Sequence, residues 1–224
     1  NEISCEIAQG SDPALSFNGR FFGGVVRGDW FFKQTELGPF WDFAAVCSNV
    51  NLEGITAVLN LGGRAQGLLA EGRFTYRGEP SRPTDAEASL RVLAKDFRWN
   101  DRGWESLEIG ASLIHRRLLI SNFDLRQKEN KVALNGEISL AEGWSKITEA
   151  PFLLNLRANI QELGSLASLT GSGVQEIKGE LKADGSLSGR PGSLDGFVGV
   201  KAKAVEYQGA KIDQADLEIL FQKK

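Results

Sequence analysis

The sequence predicts a mainly β protein: an antiparallel sheet with one short helix near 159–169. Three observations carry that reading. Apolar and polar residues alternate with a period of two over successive segments, which is the pattern of half-buried strands. The turns between these segments are too short for parallel neighbours, which need a crossover of a dozen or more residues. Glycine is abundant, 26 of 224 residues, and proline scarce at 6, a usage that favours tight turns over Pro-rich linkers.

Along the chain, residues 1–103 form an aromatic-rich β segment, and 104–224 a second β segment continuous with it. Phe17, Phe21, Phe22, Trp30, Phe31, Phe32, Phe40, Trp41 and Phe43 concentrate nine aromatic side chains early in the first segment. They form either the core at one end of the sheet or a surface for a neighbouring segment or a lipid. Residues 79–85, with Pro80 and Pro83, form an exposed loop.

The second segment is patterned more cleanly. Leu107, Ile109, Ala111 and Leu113 share one strand face, opposite Glu108, Gly110 and Ser112, and His115-Arg116-Arg117 makes the next turn. Leu118 and Ile120 keep one parity while Phe123 and Leu125 take the other, which places a bulge near Ser121-Asn122. After a turn at 127–130, Val132, Leu134, Ile138 and Leu140 alternate with Lys131, Asn135, Glu137 and Ser139. These strands form a meander. In the helix, Asn159 is the expected cap, Glu162 completes a capping box, and Ile160, Leu163, Leu166 and Ala167 keep helical spacing. Leu181 and Ala183, Val198 to Ala204 at every second residue, and Leu217, Ile219 and Phe221 mark the last strands. A Gly recurs between apolar residues at Gly19, Gly72, Gly136 and Gly179, at irregular separations, as strands do where a neighbour approaches closely.

The sequence excludes several chemistries. A net charge of −3 lacks the basic excess of a nucleic-acid binder. His115 is the only histidine, so no His cluster can ligate a metal. Gly185-Ser186-Leu187-Ser188-Gly189 has Leu where a nucleophile elbow needs Ser. The glycine-rich stretches at 62–67 and 171–173 lack phosphate-loop residues and read as turns. No catalytic residue, metal site or cofactor is assigned, and the chain is read as a non-enzyme; a carboxylate pair brought together from distant strands is the weakest of the alternatives. Cys5 and Cys47 permit one disulfide in an oxidising compartment, or serve as two small buried hydrophobes. With no Met at its start or anywhere else, the chain reads as an internal or processed piece of a longer one. No run approaches the roughly 18 apolar residues of a membrane-spanning helix. Strands with one apolar face still need a cover, which can be a second sheet, a barrel's opposite wall or lipid.

The run Leu187-Ser188-Gly189, Gly192 and Gly196, followed by Val198 to Ala204 and then Tyr207-Gln208-Gly209, resembles the repeating segments of AsmA-like and TamB-like bacterial envelope proteins, of the bridge-like lipid transfer superfamily. The resemblance covers roughly residues 104–221 and includes 118–140; residues 1–103 share only its general texture. It implies an elongated, twisted sheet forming an open groove that carries phospholipid or another acyl-chain lipid between the inner and outer membranes of a Gram-negative bacterium. It further implies a periplasmic segment of an inner-membrane-anchored protein, with adjoining segments of the same longer chain as partners. The expected lining is Leu107, Ile109, Leu113, Leu134, Ile138, Leu181, Val198, Val200, Leu217 and Ile219. The alternative is a structural or adhesive β-sandwich that binds protein partners.

Overall fold

The computed structural model describes residues 2–8, 14–36, 38–58, 65–99, 102–141, 143–167 and 177–222. They form a single sheet of thirteen antiparallel strands in which every strand is bonded to its neighbours in sequence. The strands are β1 (Glu2–Ala8), β2 (Ala14–Phe21), β3 (Gly24–Thr35), β4 (Gly38–Asn51), β5 (Ala65–Gly78), β6 (Glu87–Trp99), β7 (Arg102–Ile114), β8 (Arg117–Gln127), β9 (Asn130–Ser139), β10 (Phe152–Ile160), β11 (Lys178–Arg190), β12 (Ser193–Tyr207) and β13 (Ala210–Phe221). β1 and β13 are the two free edges, so the sheet does not close into a barrel. No second sheet packs on it among the described residues, which removes the sandwich architecture. β6 pairs with β7 without a break, and one sheet therefore runs through both sequence segments.

The antiparallel meander follows from its turns. Phe22-Gly23, His115-Arg116 and Gln208-Gly209 have positive φ at both central positions, as two-residue hairpin turns of the type that matches strand twist require. The predicted bulge falls at Ser121: Gly110 faces Asn122, whereas Ala111 faces Ile120. Glycines sit where strands crowd. A Cβ at Gly136 would overlap the Leu153 carbonyl oxygen, and one at Gly72 the Cys47 sulfur.

Three short helical pieces stand at the strand ends: α1 (Leu52–Val58), a 3-10 helix (Trp144–Glu149) and α2 (Leu163–Ala167). Strand direction puts α1 and α2 at one rim of the sheet, and the 3-10 helix and the 79–85 loop at the other. The expected helix at 159–169 is shorter than its pattern implied, and its cap is corrected. Asn159 lies within β10, while Asn130, from the start of β9, accepts hydrogen bonds from the backbone N–H groups of Gln161 (2.8 Å) and Glu162 (3.1 Å) through its side-chain oxygen. Residues 168 and 169 lie outside those described. Asn51 does the same for α1, accepting from the Glu53 N–H at 2.8 Å.

The dry core is small and sits near the rims. Val50, Leu69 and Ala94 are buried near α1, Ile160 near α2, and Leu113, Leu140 and Ala150 at the opposite rim. Total accessible area is 14627 Å², where a compact monomer of this mass exposes about 10,000 Å². A single layer leaves both faces of the sheet toward solvent.

Candidate functional site: an uncharged sheet face

In an antiparallel ladder directly paired residues project to the same side, so the register sorts every strand residue to one face or the other. On one face four successive rows contain no charge, with Arg98 and Glu105 on the same side nearer the α1 rim. One reads Val50, Leu69, Ala94, Leu107, Leu125, Val132, Ala158, Ala183, Val200, Leu217 from β4 to β13. The next reads Gly19, Val26, Cys47, Gly72, Val92, Ile109, Phe123, Leu134, Leu156, Gly185, Val198, Ile219 from β2 onward. Two further rows pass through Leu90, Ala111 and Ile120, and through Leu113, Leu118, Ile138 and Phe152. The opposite face is ionic: Ser106, Arg126, Lys131, Asn159, Lys182, Lys201 and Asp216 form one of its rows. Ion pairs such as Lys131–Asp124 at 2.8 Å cross it.

The uncharged face is the more sheltered one. Trp30 and Phe32 are half-buried, whereas Phe31 between them, on the ionic face, is 52% exposed. Ala45 is half-buried and its neighbour Ala44 exposed. Sheltered does not mean filled, since Phe74, Leu90, Leu217 and Ile219 remain exposed on the uncharged side.

All ten residues expected to line a groove lie on this one face. Leu107, Ile109, Leu134, Ile138, Leu181, Val198 and Val200 are half-buried there, and Leu217 and Ile219 are exposed near the β13 edge. Leu113 is the exception in burial: at 4% exposure it belongs to the protein's own interior at the rim, not to an open lining. Of the two alternatives for Cys5 and Cys47, the disulfide is not formed, and Cys5 is exposed rather than buried. Both thiols are free, and β1 and β4 are separated by three strand steps, about 14 Å, roughly twice the Cα separation a disulfide spans. Cys47 lies on the uncharged face, where burial pushes its thiol pKa up.

The early aromatic cluster organises one end of this face. Trp30, Phe43 and Tyr76 are cross-strand partners in a single row. Together with Trp41, Phe74, Pro80 and Pro83 they bound a hollow of about 420 Å³. Trp30 and Trp41 meet edge to face at 5.0 Å, and Phe43 and Phe74 tilt together at 5.9 Å. Residues 79–85, expected as an exposed loop, form a strap that brings the two prolines over the rings. The Tyr76 hydroxyl donates to the Glu79 carbonyl at 3.0 Å, Arg82 pairs with Glu79 at 2.6 Å, and Arg116 pairs with Asp85 across the rim. The Arg116 guanidinium hydrogen-bonded to Asp85 holds its carboxyl below the usual range. Burial, and then the Glu79 charge, push the Tyr76 hydroxyl up. Phe74 and Tyr76 are the members of this group not anticipated from sequence; their two-residue spacing, matching that of Trp41 and Phe43, was the available signal.

A second hollow of about 480 Å³ lies on the ionic face, bounded by Lys131, Asn135, Asn155, Arg157, Asp184 and Ser186 among others. Its mixed charges make it a solvated surface. His115 is exposed at the tip of the β7–β8 turn. Among the described residues no group of three or more His, Cys, Asp or Glu could hold a metal, and no helix is long and apolar enough to cross a membrane.

Fold and face together define the class: an open, single-layer antiparallel β-sheet with one largely uncharged side. Comparison of the chain with protein-family models, curated proteins and solved structures finds no match.

Proposed function

We propose that the uncharged face carries acyl-chain lipid, without chemistry, as a segment of a longer cell-envelope protein. The observation that carries this reading is the set of four charge-free rows crossing the sheet with no second layer upon them. Contiguous apolar surface beyond a few hundred Å² marks an interaction site on a soluble protein. A lipid supplies what this surface lacks. Each methylene kept from water is worth about 0.8 kcal/mol, so a chain of about fifteen costs on the order of 12 kcal/mol to expose fully, and lying on this face recovers the share of the side it covers. Rows that run unbroken from strand to strand let the chain slide without crossing a charge.

The resemblance of residues 104–221 to AsmA-like and TamB-like envelope proteins supports the same reading. It extends the proposal to phospholipid moving between inner and outer membranes, a periplasmic location, an inner-membrane anchor and adjoining segments of one longer chain.

The test is Val200→Glu. Val200 sits mid-row between Ala183 and Leu217, and a carboxylate there puts a charge in the path. Photo-crosslinking to lipid and lipid co-purification are expected to fall while far-UV circular dichroism keeps its β signature. Undiminished crosslinking, or purified protein free of bound lipid by native mass spectrometry, would sink the proposal.

A further inference from the structure

We infer that the hollow beneath the 79–85 strap is the seat of an acyl chain's terminal end, the place where the tail of a bound amphiphile stops. The inference rests on the lipid reading above and names a site within it.

The argument starts from what bounds the hollow. Five aromatic side chains and two prolines surround it, and none of them is charged. The charges nearby are engaged with one another on the strap and rim: Arg82 with Glu79, and Arg116 with Asp85. A carboxylate or phosphate placed inside would lose its hydration and find no counter-ion, which is prohibitive for an anion; a quaternary ammonium, which aromatic faces attract, is the rival occupant that the titration below separates. A hydrocarbon end loses nothing there. The volume, about 420 Å³, lies within the roughly 300–1,000 Å³ range of ligand sites, which are mostly apolar and aromatic.

The strap is what marks an end-point. The apolar row runs on past Trp30 to Leu15, but Pro80 and Pro83 line the hollow beside the rings, and the strap that carries them is tied down at both ends, by the Tyr76 hydroxyl on Glu79 and by Arg116 on Asp85. The hollow is continuous with the charge-free face through Phe43 and Tyr76, whose row runs on through Ala88 to Leu113 and Leu118. A tail can therefore enter from the face and stop beneath the strap, with its polar head left outside.

The two tryptophans report occupancy directly, because bromine quenches indole emission only on near contact. In the 224-residue chain carrying Trp99→Phe, Trp104→Phe and Trp144→Phe, the remaining emission comes from Trp30 and Trp41. Three titrants are compared: hexadecanoate with bromine on its terminal carbon, the same acid brominated mid-chain, and tetramethylammonium as a stand-in for a choline head. Lipid binding is followed in parallel by native mass spectrometry. Terminal bromine is expected to quench severalfold more than mid-chain bromine, tetramethylammonium to leave emission unchanged, and Phe74→Glu, at a position 38% exposed, to abolish the quenching while fatty acid still binds. Phe74→Leu is expected to retain it. Equal quenching by the two acids, indifference to Phe74→Glu, or a saturable response to tetramethylammonium overturns the inference and leaves the lipid proposal standing. Failure of any fatty acid to bind overturns both.

Discussion

At the scale of single residues, side chains of one type do different work according to where they stand in the layer. Leu140 is 1% exposed and Leu217 57%. Leu140→Ala removes a filled rim position and is expected to cost about 2–5 kcal/mol in urea unfolding. Leu217→Ala, on the β13 edge, is expected to change stability by less than about 1 kcal/mol while weakening lipid retention. Equal losses at the two sites would mean that β13 is covered in solution. Asn130, 2% exposed, makes a second contrast. Its side chain accepts from Gln161 and Glu162 and donates to the Ser165 hydroxyl at 2.6 Å. Asn130→Ala leaves two backbone donors without their partner and is expected to cost about 1–2 kcal/mol, with faster hydrogen exchange at those two amides as the local signature.

At the scale of elements, the strap is held by charge and therefore responds to acid. The folded pKa of Asp85 lies below its ordinary value of 3.8 because Arg116 stabilises the carboxylate. The stabilising contribution of a lowered carboxyl is fully present above the unfolded value and is lost as pH falls through the folded one. The strap should thus stay pinned at neutral and mildly acid pH and loosen only below about 3.8. Emission from Trp30 and Trp41 followed against pH checks this, with Asp85→Asn expected to remove the acid-dependent step. The elements also show what could be read from sequence. The one-sided strands β7 to β9 and β11 to β13, and the bulge at Ser121, were legible because these strands keep a period of two over most of their length between short turns, so that the change of parity in β8 stands out. β3 to β5 were not. Phe31 breaks the alternation by standing exposed on the ionic face, Asn49 takes a left-handed φ of 55°, and the β5–β6 register shifts between Leu69 and Glu71, so apolar parity changes within the strand. The α2 cap was misread because its donor of capping oxygen stands 31 residues upstream of Gln161, a distance no local motif spans. The ten residues expected to line a groove share one face, as alternation within each strand implies, yet the burial of Leu113 depends on a rim that alternation does not describe.

At the scale of the whole molecule, thirteen strands give twelve steps of about 4.8 Å, a contour of roughly 58 Å across the sheet. A compact chain of this length has a radius of gyration of about 17 Å. Small-angle scattering from the monomer is expected to give a clearly larger value, and agreement with the compact figure would mean that the sheet folds over onto itself.

Because each strand leans only on the one made before it and the one made after it, the architecture has no keystone. A hairpin can be added or deleted at either extremity without reworking the middle, much as length is added to a zip, and local damage stays local. Synthesis can assemble such a ribbon in the order in which it leaves the ribosome, and evolution can adjust its reach by duplicating hairpins while the surviving rows stay in line.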